Sequence, residues 1–153
     1  MNFFLGCAVW AYKGWLGDFY PAGTRSSDYL SLYSRRFTTV EGNTTFYAIP
    51  NRDTIERWFG KTPTGFKFCL KLHKDITHQG LLKPKIADAL SFIERVQDLG
   101  DRLGAIFVQL PPSYQPELLK DLVTFLEALP RQQVAIALEV RHLDWFKETH
   151  ANE

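Results

Sequence analysis

Five short apolar or β-rich stretches recur along this chain at roughly 30-residue intervals, the size of one strand–helix unit. They occupy residues 3–9, 38–43, 66–72, 105–110 and 134–140. Four helical patterns lie between them, at residues 26–37, 51–60, 83–100 and 115–130. Such alternation favours a parallel sheet covered by helices, because parallel neighbours need a long crossover connection. The sequence therefore predicts an α/β fold, built either as a barrel or as an open doubly wound sheet.

The faces of the predicted strands favour the barrel. In the fourth stretch the large aliphatic residues share one face, and the opposite face carries Ala105, Phe107 and Gln109. The fifth stretch presents two alanines and then Glu139 on its second face. That face is small near the strand starts and polar near the strand ends, as the mouth of a β/α barrel requires. No glycine-rich phosphate loop follows a predicted strand, which argues against an open nucleotide-binding sheet.

Composition indicates one folded domain, residues 1–153, and narrows the function classes. A chain of 153 residues with 45% hydrophobic content can bury one core. Its formal net charge of +1 is not that of a dedicated nucleic-acid binder. Cys7 and Cys69 lie in apolar stretches without CxxC spacing, which predicts free thiols in the cytoplasm. No apolar run approaches the ~20 residues of a membrane span, so no membrane partner is expected.

The stretch TTVEGNTTFYAIP, residues 38–50, places Glu41 and Asn43 in a predicted strand. A carboxylate inside a packed sheet is costly unless it is paired or functional. We therefore expect Glu41 at the barrel mouth beside Lys71 and not in the core. Asn43 can hold Glu41, contact a substrate or tie down its own loop.

Glu139 is the second carboxylate of the predicted mouth. Glu41 and Glu139 can divide acid and base roles, which makes them candidate catalytic residues. The alternative is that Lys71 and Arg141 neutralise them in a structural ion-pair network. In the catalytic interpretation, Lys71 and Arg141 hold an anionic substrate.

Histidine and amide groups complete the predicted mouth. His78 follows the third stretch and is a candidate general acid or base, since an ordinary histidine pKa lies near neutrality. Gln109 offers both a donor and an acceptor, and His142 is a weaker substrate-binding candidate beside Arg141. The carboxylates could also join His78 or His142 around a divalent metal, but HxxxH and DxH spacings are absent. We assign neither a metal nor a cofactor.

Aromatic residues are concentrated in WAYKGWLGDFYP, residues 10–21. Trp10 and Tyr12 lie nearest the preceding strand and can stack a sugar or a base, while Lys13 can meet a phosphate. Phe46 and Tyr47 add rings from the next loop. The other aromatic residues of the segment are interpreted as packing that fastens the first loop to the sheet.

Five segments together resemble the YecE-like family, also known as domain of unknown function 72. They are GCAVWAYKGWLGDFYP, FTTVEGNTTFYAIP, W…TPTGFKFCLKLHKDITH, LGAIFVQLPPSY and LEVRHLDWF, in order from Leu5 to Phe146. The resemblance implies a TIM-type β/α barrel, in agreement with the strand faces. It supplies no reaction.

Two functions are therefore predicted, and the sequence does not decide between them. One is an acid/base enzyme acting on a phosphorylated or polyhydroxy small molecule or on a nucleic-acid fragment. The other is a non-catalytic module that binds an anionic metabolite or nucleic acid. A β/α barrel closes with eight strands and typically needs ~250 residues. We thus expect about five of eight units, as in a truncated barrel, and an inert fragment is the third alternative.

Overall fold

The computed structural model describes residues 3–147, which are built around a parallel sheet of four strands. The strands are β1 (Thr39–Gly42), β2 (Lys67–Lys71), β3 (Leu103–Gln109) and β4 (Ile136–Glu139). Each strand pairs in parallel with the next one along the chain, so the order in the sheet is β1-β2-β3-β4. The predicted α/β class is confirmed, and four of the five predicted strands form close to their expected positions.

Helices connect these strands. The α-helices in the described part of the chain are α1 (Tyr29–Tyr33), α2 (Thr44–Tyr47), α3 (Arg52–Lys61), α4 (Lys74–Thr77), α5 (Ile86–Gln97) and α6 (Leu119–Ala128). The 3-10 helices are Lys13–Trp15, Ser26–Asp28, Lys83–Lys85, Gly100–Arg102, Pro116–Leu118 and Leu143–Phe146. The four predicted helical patterns contain α1, α3, α5 and α6. Within residues 3–147, no helix has both the length and the apolar character needed to cross a bilayer.

Local chemistry explains where two of the helices begin and end. The Asn51 side chain accepts a hydrogen bond from the Thr54 backbone N–H at 2.9 Å and starts α3, as predicted. Helix α3 continues through Gly60 to Lys61, one residue beyond the predicted range of 51–60. Helix α5 ends at Gln97, and the chain turns at Gly100, whose φ of 54° favours glycine.

The first predicted strand does not join the sheet as a strand, although its chain lies beside β1. Backbone N–H groups of Thr39 and Glu41 donate to the carbonyls of Leu5 and Cys7, at 3.3 and 3.1 Å. A backbone hydrogen bond from the Cys7 N–H to the Thr39 carbonyl does not form, because the Tyr33 side chain of α1 lies between these two groups. Its hydroxyl accepts from the Cys7 N–H at 2.6 Å and donates to the Thr39 carbonyl at 3.0 Å. A side chain thus replaces one rung of the expected ladder.

Two features keep this inserted arrangement in place. Gly6 lies so close to β1 that a Cβ added there would be 1.9 Å from the Thr39 carbonyl oxygen, so only glycine fits. Burial raises the pKa of Tyr33 to about 12, so its hydroxyl remains protonated and able to donate. The segment is therefore fastened to β1 by a side chain as well as by the backbone.

One face of the sheet holds the core, under the helices. The side chains of Val40, Phe68, Leu70, Ile106 and Val108 on β1 to β3 are fully buried there. They belong to one apolar cluster with residues of α3, α5 and α6, including Ile55, Phe92 and Phe125. This confirms the aliphatic face predicted for the fourth stretch, which forms β3, and β2 shows the same alternation. The pattern weakens on β4, where Leu138 is 42% exposed.

The opposite face of the sheet is uncovered. Near the strand starts it carries small residues, among them Thr39, Cys69, Ala105 and Ala135, which line an open cleft of about 540 Å³. Near the strand ends it carries larger polar groups. Within residues 3–147 the sheet does not close on itself, so the structure shows an open four-stranded sheet where the sequence predicted part of a closed barrel.

Candidate functional site

Glu41 and Lys71 form an ion pair across two neighbouring strands. The Lys71 Nζ lies 3.2 Å from the Glu41 Oε1, and both residues stand at the carboxyl ends of their strands. The Lys71 side chain is only 10% exposed, whereas that of Glu41 is 38% exposed. This explains how β1 accommodates a carboxylate: it is paired, and it reaches solvent at the strand end.

Lys71 is held in position by its surroundings. Its Nζ lies 5.7 Å from the centroids of both the Phe46 and the Phe107 rings, close enough for cation–π attraction. Thr45, fully buried at the start of α2, donates from its hydroxyl to the Lys71 carbonyl at 2.6 Å and to the Gly42 carbonyl at 2.9 Å. The ends of β1 and β2 are thereby joined below the ammonium group.

A second polar group forms at the ends of β3 and β4. Gln109 pairs with Glu139 in the register of the sheet, and its Nε2 lies 2.9 Å from both carboxylate oxygens. The Arg141 Nε lies 3.7 Å from the Glu139 Oε1, and its side chain is 46% exposed. Glu139 is therefore held by an amide and a guanidinium group, both at the rim of the uncovered face.

His78 follows α4 and lies near both cations. Its ring packs edge-on against Phe46, with 4.9 Å between the ring centroids, and its Nδ1 is 2.8 Å from the Thr77 hydroxyl. Burial lowers the pKa of His78 below its ordinary value of 6.5, and the positive charges of Arg141 and Lys71 lower it further. The imidazole is thus neutral at pH 7 and able to accept a proton.

The remaining polar candidates have structural contacts. The Asn43 amide donates to the Ala8 carbonyl at 3.3 Å, so it ties its loop to the first segment, one of the alternatives that the sequence left open. His142 accepts the Asp144 backbone N–H on its Nδ1 at 3.1 Å and caps the Leu143–Phe146 turn. Neither side chain forms a hydrogen bond with the two ion pairs within the described part of the chain.

The aromatic candidates divide between core and surface. Trp10 packs edge-on against Trp58 and Phe68, at 5.5 and 6.3 Å between centroids, on the helix-covered side of the sheet. It therefore does not lie with the polar groups of the uncovered face. Tyr12 and Lys13 are exposed, and Tyr12 packs edge-on against Trp15.

Of the two rings in the second loop, Phe46 contacts the polar groups and Tyr47 does not. Tyr47 is 69% exposed, and the Lys74 Nζ lies 6.0 Å from the centroid of its ring. Phe46 instead contacts both Lys71 and His78, which pack against its ring at 5.7 and 4.9 Å from its centroid.

Three residues that contact Lys71 or His78 were not predicted as site residues from the sequence. They are Thr45, Thr77 and Phe107. Phe107 shares a strand face with Gln109 and lies opposite Lys71 in the register, so the strand pattern could have identified it. The two threonines gave no signal, because α2 and α4 are four residues long and too short for a helical pattern.

The described residues include no group of three or more histidine, cysteine, aspartate or glutamate side chains placed to hold a metal ion. Glu41 and Glu139 lie on opposite edge strands of the sheet. Three strand steps of about 4.8 Å set their backbones at least about 14 Å apart. The register adds to this separation, because Glu41 aligns with Cys69 whereas Glu139 aligns with Gln109 at the end of β3. Each carboxylate consequently has its own cationic partner and does not share a proton with the other.

The sequence matches, over residues 4–153, the family described as "Protein of unknown function DUF72". The UPF0759 protein YecE of Escherichia coli K12 is 34% identical over 143 residues, which cover 94% of this chain and 50% of that protein. The UPF0759 protein YunF of Bacillus subtilis strain 168 is 32% identical, over 87% of this chain and 50% of that protein. The chain spans about half the length of the curated relatives it matches.

Two crystal structures of a DUF72 family protein, EF0366 of Enterococcus faecalis V583, have a similar fold. Both match 97% of this chain at 21% identity, with TM-scores of 0.69 and 0.75. The match covers 55% and 54% of the respective crystal chains. At this identity the similarity concerns the fold alone.

Proposed function

The chain belongs to the DUF72 family, and from this premise we propose that it binds an anionic or polyhydroxy small molecule and performs acid/base chemistry on it. The observation that carries the proposal is the convergence of polar groups at one end of the uncovered face. Two ion pairs, Glu41–Lys71 and Glu139–Arg141, lie at strand ends of that face, and His78 lies close enough to both cations to be affected by their charge. Such a set can both hold a charged substrate and move its protons.

The proposal includes a β/α barrel as the complete architecture. In a doubly wound sheet the strand order reverses at a switch point, and helices then cover both faces. Here the strand order follows the chain without reversal, and the core lies on one face. Repeated right-handed crossovers in one direction produce that arrangement, and further strands of the same kind would close it.

The two carboxylates have different freedom in this proposal. Lys71 is the one ion-pair partner of the Glu41 carboxylate among the described residues, and the side chain is partly exposed, so its second oxygen can reach a ligand. Glu139 faces the Gln109 amide with both oxygens, which leaves it less acceptor capacity. We assign proton transfer to Glu41 and His78, with Glu139 as the second carboxylate and Lys71 and Arg141 as the anion-holding groups.

Binding without turnover is the second candidate function. It is favoured by one observation: each carboxylate is already paired with a cation, Glu41 with Lys71 and Glu139 with Arg141. Paired charges can position a ligand without exchanging protons. Both candidates place the protein in the cytoplasm, the setting proposed from its two free thiols, Cys7 and Cys69.

A paired ligand screen tests the proposal. Thermal shift and calorimetry would compare ribose 5-phosphate with ribose, and glycerol 2-phosphate with glycerol. We expect binding of at least one phosphorylated probe and a loss of about tenfold or more in affinity for Arg141→Gln, since a charge-assisted hydrogen bond contributes roughly 1.5–3 kcal/mol. Lys120→Met, at an exposed position of α6, is the matched control.

Turnover decides between the two candidates. Proton-transfer chemistry requires that Glu41→Gln abolish turnover of any probe that binds, while Glu127→Gln on the exposed side of α6 leaves it intact. Affinity that persists without any product would favour the binding module. If no phosphorylated or polyhydroxy probe binds the folded protein, the proposed site is wrong.

A further inference from the structure

We propose that the site takes a dianionic group, of the phosphoryl type, between Lys71 and Arg141, and that one proton binds with it on the Nε2 of His78. This inference rests on the proposed function and specifies the charge of its ligand. It also makes ligand binding and protonation of one ring a single linked event.

His78 and the buried Lys71 lie close together because both pack against the Phe46 ring. The Lys71 ammonium and the His78 imidazole both lie against the Phe46 ring, at 5.7 and 4.9 Å from its centroid. Arg141 reaches the same neighbourhood from the end of β4, close enough to act on the charge of the imidazole. In this proposal the dianion lies between the two cations and beside His78.

His78 has one ring nitrogen available for this role. Its Nδ1 is engaged with the Thr77 hydroxyl at 2.8 Å, and its Nε2 has no hydrogen-bond partner within residues 3–147. A hydroxyl can donate to a neutral ring nitrogen and can accept from a protonated one. Thr77 therefore supports both protonation states of His78 without a change of partner.

Three charged or polar groups and one aromatic ring surround His78. Lys71 comes from β2, Arg141 follows β4, the Thr77 hydroxyl comes from α4, and the Phe46 ring comes from α2. The carboxylates on β1 and β4 are each engaged with one of the two cations. With the site empty, burial and the two positive charges lower the pKa of the ring.

A bound dianion reverses this field. Its two negative charges offset Lys71 and Arg141, and an adjacent negative charge favours the protonated imidazole. The pKa of His78 therefore rises on binding. Because coupling between two binding events is reciprocal, the dianion must bind more tightly as the pH falls, by at most about tenfold per pH unit for one proton.

Inorganic sulfate is the appropriate probe, because it remains a dianion between pH 5 and 9. Any proton taken up on binding must therefore bind to the protein and not to the sulfate. Histidine ring signals would be followed by NMR through pH titrations with and without sulfate. The sequence has four histidines, so loss of one signal in His78→Gln assigns the resonance. We expect the pKa of His78 to rise with sulfate, whereas the ring signals of His73 should not respond to sulfate.

Calorimetry in two buffers of different ionisation enthalpy gives the number of protons bound with sulfate. The expected result at pH 7 is net proton uptake in the unmodified chain and none in His78→Gln. Arg141→Gln should weaken sulfate binding and raise the pKa of His78 in the empty site. Lys71→Met should also weaken sulfate binding, but Lys71 is buried and its loss can disturb folding. Arg141→Gln is therefore the main test, because Arg141 is 46% exposed and its replacement should leave the fold intact.

The outcomes separate this inference from the proposed function. If sulfate binds in an Arg141-dependent manner without proton uptake or a shift at His78, the linked proton is refuted and the anion site stands. If sulfate fails to bind while an uncharged polyol binds, the dianion is refuted and the polyhydroxy form of the proposed function stands. Failure of every probe overturns both.

Discussion

The two carboxylate–cation pairs at the strand ends look alike in sequence but differ in structure. Glu41 and Lys71 pair across neighbouring strands, and the lysine is 10% exposed between two aromatic rings. Glu139 and Arg141 lie two residues apart at the end of one strand, and the arginine is 46% exposed. The first pair therefore contains a buried cation, whereas both members of the second are partly exposed at the rim.

This difference decides what each pair contributes. An exposed ion pair contributes about 0–1 kcal/mol, because water solvates both charges well when they separate. A buried cation that loses its carboxylate has no such replacement, so removing one partner is costly even where the intact pair adds little net stability. Breaking the Glu41–Lys71 pair should therefore lower the free energy of unfolding more than breaking the Glu139–Arg141 pair. The second pair mainly sets the charge at the rim of the uncovered face.

The largest contrast is expected between two matched substitutions. Glu41→Gln should lower the free energy of unfolding by about 2 kcal/mol, because Lys71 stays buried without its carboxylate, and Glu139→Gln by about 0.5 kcal/mol. Urea titration of both variants measures the difference. Equal losses would show that the two pairs are equivalent and that burial of Lys71 does not matter.

A slightly smaller effect is expected beneath the first pair. Thr45→Val preserves shape but removes the hydroxyl that donates to the Gly42 and Lys71 carbonyls, which should cost about 1.5 kcal/mol. Thr124→Val is the control, since its hydroxyl donates to the Lys120 carbonyl on an exposed helix surface, and we expect a loss under about 0.5 kcal/mol. A neutral Thr45 variant would contradict a joined β1–β2 end.

Gln109 tests the second pair in the same way. Gln109→Leu leaves Glu139 without the amide that faces both of its oxygens, and we expect a loss of about 1 kcal/mol that largely disappears in a Glu139→Gln background. A double-mutant cycle measured by thermal unfolding gives this coupling. Additive losses would mean that the amide and the carboxylate act independently.

The smallest effect concerns pH. Because the pKa of His78 in the folded protein lies below its ordinary value of 6.5, the unfolded chain binds the proton more readily. The stability contributed by the neutral ring is therefore present above pH 6.5 and is lost as the pH falls through the lowered folded pKa. His78→Gln should flatten unfolding free energy against pH in that window. An unchanged profile would place the ring in water, away from Lys71 and Arg141.

Strand faces were the part of the fold that sequence predicted best. The alternation in residues 66–72 and 105–110 correctly separated the buried aliphatic side chains from Lys71 and Gln109, because successive side chains on a strand point to opposite faces. The cost of burying an unpaired carboxylate correctly predicted Glu41 beside Lys71. The alternation rule failed in part on β4, an edge strand of the described sheet, where Leu138 is 42% exposed.

Local sequence patterns could not reveal why the predicted strand at residues 3–9 does not form, nor could they reveal the four-residue helices α2 and α4. The Tyr33 hydroxyl lies between the Cys7 N–H and the Thr39 carbonyl, where a backbone hydrogen bond was expected. Tyr33 is 26 residues from Cys7 in the sequence, and no local pattern indicates that its hydroxyl takes this place. Trp10 was expected near the polar groups because it follows a strand, but packing against Trp58 and Phe68 draws its ring to the covered face. Proximity along the chain does not fix the side of the sheet.

The sequence by itself determined the order of strands and helices, the two faces of β2 and β3, and the family, since these depend on local periodicity and on motifs within single segments. Only the tertiary structure decided which charges meet. Lys71 became a buried cation because Phe46 and Phe107 arrive from α2 and β3, and His78 became a neutral base because Arg141 arrives from the end of β4. Burial and electrostatic field depend on residues distant in the chain, and those neighbours exist only once the sheet has formed.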